Sequence, residues 1–369
     1  RAFCKNGGAG DLTMVDCEFR DTTGGDAGRV GYFEGDSGKT AALGLTNCVF
    51  AGARYNNYGQ TYCAAYFKNF RRVYMDGALF TENGATINSS TAGSMGVTCF
   101  GAEGTPLTVT GCRFVGNNCT AGGGNGGHIR LNGGCSGTVF RNCMWMANIE
   151  RWVTYDGDGG LSGCLYVNGN FEERSRVDIE NCTFAYNICG NKQSAAGITV
   201  YRGDVRVKNC IFHCNFISKE NVSGADIRVK YDAQDQLGAR CTVSYTLFDE
   251  LSTNAYNAVQ GGVLDVDEAT CAAADPLFVT PTDEFWAMVN ETAPAWPRST
   301  KDRWNVNFKS TAAVREAAQA MNAHLRGGSG YVDEKTGETV KDWTKRRYGN
   351  SPAIDAGDPA SDYSSEPTP

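Results

Sequence analysis

Apolar and polar residues alternate along this chain over short runs, each closed by Gly, Asn or another turn-forming residue. His128-Ile129-Arg130-Leu131, Cys164-Leu165-Tyr166-Val167, Gly197-Ile198-Thr199-Val200 and Asp226-Ile227-Arg228-Val229 are four such runs, each after a small residue. Gly262-Val263-Leu264-Asp265-Val266 reads as a fifth. A period of two predicts half-buried strands, too short to bury a core singly.

The runs recur in step with a second phrase, apolar-x-Asn-Cys-x-aromatic. It stands complete at Asn47-Cys48-Val49-Phe50, Asn142-Cys143-Met144-Trp145, Asn181-Cys182-Thr183-Phe184 and Asn209-Cys210-Ile211-Phe212. Asp16-Cys17, Gly111-Cys112, Ala78 and Thr246 mark weaker copies, with spacings between 28 and 39 residues. Five copies continue into aromatic-x-x-Asn, ending at Asn83, Asn117, Asn148, Asn187 and Asn215. One supersecondary unit per repeat predicts a solenoid. Each repeat carries about three short apolar runs and no helical period, which argues against a strand-plus-helix horseshoe. Hairpin dipeptides do not recur in step, which argues against a propeller blade. The expected fold is all-β, a right-handed parallel β-helix of eight or nine coils. Equivalent residues would stack about 4.8 Å apart along a rod roughly 40 Å long. Asn would turn the left-handed corners and bond the Asn above, while Cys and Phe would form inward columns.

Residues 1–278 form this β-helix, and 279–350 break its rhythm. That stretch holds Trp286, Trp296, Trp304 and Trp343, four of the six tryptophans. Ser310 or Thr311 can cap a helix near 311–326, with Val314, Ala317, Ala318, Met321 and Leu325 on one face. Such a helix would cover the open end of the solenoid as an end cap, the alternative being a lid or docking surface. Residues 351–369 are a closing segment and tail.

The glycine-aliphatic runs alternating with Phe-x-x-Asn resemble the repeats of polymorphic outer-membrane proteins and related bacterial surface β-helices. Ala274-Asp275-Pro276-Leu277-Phe278 and Ser351-Pro352-Ala353-Ile354-Asp355-Ala356-Gly357-Asp358-Pro359 resemble the closing segment of secreted right-handed β-helix proteins of the choice-of-anchor Q type. Here 72 residues separate the two phrases. The resemblance implies bacterial export, to the extracellular space or the cell surface, and fixes no reaction. Arg1 to Asn6 already reads as the interior of a repeat.

Composition narrows the partners. Lys and Arg number 34 against 41 Asp and Glu, a net charge of −7, which argues against a nucleic-acid binder. No apolar run is long enough for a transmembrane helix. Sixteen cysteines suggest either disulfides or small buried thiols. Cys112 with Cys119, Cys182 with Cys189 and Cys210 with Cys214 are candidate loop disulfides, and an inward column of thiols is the alternative.

The runs also predict an outer face. If the aliphatics point inward, Arg130, Tyr166, Thr199, Arg228 and Asp265 share one outward column, flanked by His128 and Asp226 on one side and Tyr201, Lys230 and Asp267 on the other. Cations pair with carboxylates and tyrosine rings stack on sugars, so the face suits a glycan or a surface protein. His128, Arg130, Tyr166, Tyr201 and Asp267 are the candidate ligand-binding residues of an adhesin-like module. A second reading is a polysaccharide lyase or hydrolase. Arg228 or Lys230 would be its base, and Asp226 or Asp265 would hold Ca²⁺. A third is end-to-end self-association into filaments. Asp156 and Asp158 could bind Ca²⁺ in a loop, although Asp-Gly runs commonly serve as turns.

Overall fold

The computed structural model describes residues 3–278 except 22, 25–30, 56–60, 86–96, 122–126, 153–162, 170–174, 190–193, 218–223, 231–237, 260 and 277, and beyond them 316, 331–332 and 339–340. The chain is a parallel β-solenoid. Each coil passes through three sheets. The first sheet runs from Leu12–Val15 through Ala42–Thr46, Arg72–Asp76, Leu107–Thr110, Thr138–Arg141 and Arg176–Glu180 to Ala239–Ser244 and Val263–Val266. The second holds nine short strands, Glu18–Arg20 to Ala272–Ala273. The third includes Gly31–Glu34, Thr61–Lys68, Val97–Glu103, Gly127–Asn132, Leu165–Asn168, Ile227–Lys230 and Tyr256–Val259. Ile198–Lys208 runs unbroken from the third sheet into the first sheet of the next coil.

The aromatic of the repeat sets the register of the second sheet. Phe19, Phe50, Phe80, Phe114, Trp145, Phe184 and Phe212 pair coil to coil. With Phe248 their rings form one buried stack, with centroids 4.4–5.2 Å apart. That distance follows the strand spacing, so parallel pairing and ring stacking reinforce each other.

Two left-handed corners flank this sheet. The residue before the Cys position, at Asp16, Asn47, Gly77, Gly111, Asn142, Asn181, Asn209 and Tyr245, has φ between 50° and 64°. The second corner, at Asp21, Gly52, Glu82, Gly116, Ala147, Tyr186 and Cys214, has φ between 51° and 68°. Asn and Gly recur at the first because they enter that region at low cost, whereas other residues lose about 1–2 kcal/mol.

Between the corners the thiols turn inward. In Cys17, Cys48, Cys112, Cys143, Cys182 and Cys210 the Sγ donates to the carbonyl two residues earlier, at 3.1–3.5 Å. All twelve described cysteines are free thiols, so the expected loop disulfides are not formed among them. Cys182 lies in the main core and Cys189 in a separate small cluster with Ala196, Ile217 and Ala225. Cys210 faces the column, while Cys214 sits at a left-handed corner. The side chain of Cys119 lies outside the described residues, so its pairing with Cys112 has one described member.

The second asparagine of the repeat builds a buried ladder. Asn83, Asn117, Asn148, Asn187 and Asn215 are 0–3% exposed. Each Nδ2 of the first four donates to the Oδ1 of the Asn one coil on, at 2.9–3.1 Å. That Oδ1 also accepts the backbone N–H of the same donor, at 3.1 Å. The other Nδ2 hydrogen goes back to the carbonyl of an aromatic in the previous coil, at 2.8–3.0 Å. The amides are thereby satisfied without water, as burial requires.

The helix expected at 311–326, the end-cap role of 279–350 and the segment 351–369 lie outside the described residues. Within 279–350 the structure describes helical Glu316 and an antiparallel pair, Tyr331–Val332 with Thr339–Val340. Among the described residues, no helix is long and apolar enough to cross a membrane.

Candidate functional site

The outer face of the third sheet carries the candidate residues. Register aligns Tyr32, Tyr66, Gly101, Arg130, Tyr166, Thr199 and Arg228 in one outward column. The inward partners Ile129, Leu165, Ile198 and Ile227 are fully buried, so the expected alternation is present. The column itself is covered, which alternation does not reveal. Arg130 is 9% exposed, while Tyr166 and Thr199 are fully buried. The Tyr166 hydroxyl has no hydrogen-bond partner among the described residues, and burial pushes its phenol well above the ordinary tyrosine range. Burial also lowers the Arg228 guanidinium.

The next column outward is accessible. It runs Glu34, Lys68, Glu103, Asn132, Asn168 and Arg202 in register, each part-exposed, with Lys230 one coil further along. A bulge after Val200 shifts the register, so Arg202 rather than Tyr201 faces Asn168. That insertion hid Arg202 from a reading based on strict alternation. It also seats the Arg202 guanidinium over the Tyr201 ring, 4.7 Å from its centroid.

Polar contacts tie the two columns together. Arg130 Nε donates to Asn132 Oδ1 at 2.7 Å, Asn168 Nδ2 to the same oxygen at 3.4 Å, and Arg202 to Asn168 Oδ1 at 3.3 Å. Arg130 lies over the Tyr166 ring at 5.9 Å, and that ring is 6.4 Å from Tyr201. At the N-terminal end acids dominate: Tyr32 donates to Glu34 at 2.7 Å, Tyr66 donates to Glu103, and Lys68 lies 3.8 Å from Glu103.

Several candidates fall elsewhere. His128 is 1% exposed, and neither ring nitrogen has a hydrogen-bond partner among the described residues. Burial depresses its pKa to about 3, so it is a neutral interior imidazole at ordinary pH. Asp226, 4% exposed, accepts the Nδ2 of Asn215 at 2.9 Å. It replaces the missing next rung of the ladder, where the repeat has Leu251. Asp265 lies on the first sheet, paired with Thr242, and not beside Arg228. The slot beyond Ile227–Lys230 belongs to Tyr256–Val259. Gly261 and Gly262 mimic the small pair before a third-sheet strand but instead turn the chain toward the first sheet. A Cβ on Gly262 would lie 2.8 Å from the Val229 carbonyl oxygen. Asp267 closes a turn, accepting from Ala269 N–H and Thr270 Oγ1. Arg228 therefore shares the strand Ile227–Lys230 with Lys230, Asp226 lies in the bend just before it, and Asp265, the alternative Ca²⁺ ligand, stands on the first sheet. Asp156 and Asp158 lie outside the described residues.

Comparison with protein-family models, curated proteins and solved structures found no match.

Proposed function

We propose that this chain is an exported, surface-displayed binding module whose third sheet holds an extended anionic glycan. The observation that carries the reading is the accessible run Asn132, Asn168, Arg202 and Lys230, with the Tyr201 ring beside it. Amides offer paired donors and acceptors to hydroxyl groups, guanidinium and ammonium groups take carboxylates, and the ring offers a stacking surface. Four coils span about 14 Å along the axis, room for several successive sugars. The likeness of the repeats to bacterial surface β-helices supports display outside the cell. The lyase reading has less support, because Asp226 serves the ladder and Asp265 faces another side.

The test is calorimetric titration with oligo-uronates against the uncharged oligosaccharide of the same backbone. The acidic series should bind, and Arg202→Ala with Lys230→Ala should weaken it by about tenfold or more, the loss of one or two charge-assisted hydrogen bonds. No unsaturated product or new reducing end should form. Equal affinity for both series, or an unchanged affinity in the double variant, refutes the reading.

A further inference from the structure

His213 and Cys214 sit where the second sheet of one coil turns its second corner, and the next coil brings Asp249 beside them. Asp249 Oδ1 lies 2.5 Å from His213 Nδ1, and Asp249 Oδ2 accepts the Cys214 backbone N–H at 2.6 Å. On the other side of the ring, His213 Nε2 lies 3.3 Å from Cys214 Sγ. The Asp249 carboxylate accepts a hydrogen bond from Nδ1–H, which places the Nε2 lone pair on the other side of the ring. That lone pair faces the thiol. Nucleophile, base and orienting carboxylate thus stand in line.

The surroundings hold the ring in place. Tyr186 of the preceding coil and Phe278 meet it edge-on, at 5.4 and 5.5 Å between centroids. Asp249 keeps 27% of its side chain exposed, so the cluster reaches the surface although His213 and Cys214 are nearly buried. Neither aligned corners nor repeat phrases predict the trio, since His213 and Asp249 replace Ala185 and Val115 at one position of the repeat.

We propose that Cys214, His213 and Asp249 form a reactive-thiol centre in which Cys214 is a nucleophile toward small electrophiles, hydroperoxides among them. His213 Nε2 takes the Sγ proton, and Asp249 stabilises the imidazolium. The thiolate attacks one peroxide oxygen, the S–O bond forms and the O–O bond breaks. The departing oxygen takes the proton from His213, leaving a cysteine sulfenic acid and water or an alcohol. Among the core thiols, burial pushes Cys135 up to about 12 and raises Cys182 and Cys241. At the buried Cys143, desolvation is outweighed by hydrogen bonding with Cys112 and Cys182, which lowers the thiol. None of these four has a His–Asp pair beside it among the described residues.

The experiment treats the full folded chain with iodoacetamide near pH 6 and follows each cysteine by peptide mass spectrometry. A second arm uses hydrogen peroxide with a sulfenic-acid trap. Cys214 should react first among the eleven buried thiols of the twelve described, Cys17 being part-exposed. An imidazole partner raises the thiolate fraction near pH 6 more than it weakens each thiolate, a net gain of about tenfold. His213→Gln should lose that gain, and Asp249→Asn, a milder change at a part-exposed site, should lose most of it. Both variants are checked for an unchanged melting temperature, and Asp249→Asn decides the matter if His213→Gln is unstable. Cys214 reacting no faster than Cys182, or at an unchanged rate in folded Asp249→Asn, overturns the proposal.

Discussion

Trp145→Ala should destabilise the protein by about 3–5 kcal/mol, the usual cost of removing a large buried aromatic. Trp145 is fully buried between Phe114 and Phe184, at 5.0 and 4.4 Å, and Phe140 meets it edge-on at 5.5 Å. Its neighbours are fixed by strand pairing on both sides, so they cannot collapse into the cavity without breaking register. Trp145→Phe should cost far less, because the other rungs of the stack are phenylalanines and the missing ring leaves a smaller gap. Urea denaturation of both variants measures the difference. A loss below about 1 kcal/mol for the alanine variant would mean that the stack is not a tight interior.

Asn148→Ala should cost about as much for a different reason. The side chain accepts two hydrogen bonds from Asn117 and donates to Asn187 and to the Phe114 carbonyl. Deleting it leaves donors on one side and acceptors on the other buried without partners. Each orphan costs about 1–3 kcal/mol, so a total of at least about 3 kcal/mol is expected. Asn148→Asp separates hydrogen bonding from volume. It keeps the acceptor but aims oxygen at the oxygens of Asn187 and Phe114, so it should also destabilise. A chemical-denaturation series across Ala, Asp and wild type reads this out. Near-neutral substitutions would show that water reaches the ladder.

Much of this architecture could be read from residue order because the repeat writes each spatial column into a sequence position. Asn47, Asn142, Asn181 and Asn209 announce the left-handed corners, and Phe50, Phe114 and Phe212 announce the stack. The outer face was less legible. Alternation told which side of the strand Arg130 and Tyr166 occupy, but not that the column is covered. The bulge at Tyr201 moved Arg202 into the place that strict alternation gives to its neighbour. Asp265 was misplaced because Gly261 and Gly262 look like the entry to a third-sheet strand while acting as a corner. Asp226 reads as surface chemistry because its contact with Asn215, eleven residues earlier in the same coil, follows no repeat position. The His213, Cys214 and Asp249 trio depends on contact between coils at positions where the repeat carries no consensus.

The central claim is that successive coils lie in register, so that equivalent residues meet along one axis. Sulfur anomalous diffraction from crystals of the unmodified protein locates the thiols directly. The expected map places the Cys112, Cys143, Cys182 and Cys210 sulfurs in one row, about 4.8 Å from each to the next. Sulfur sites for these four residues that scatter off a common line would contradict it.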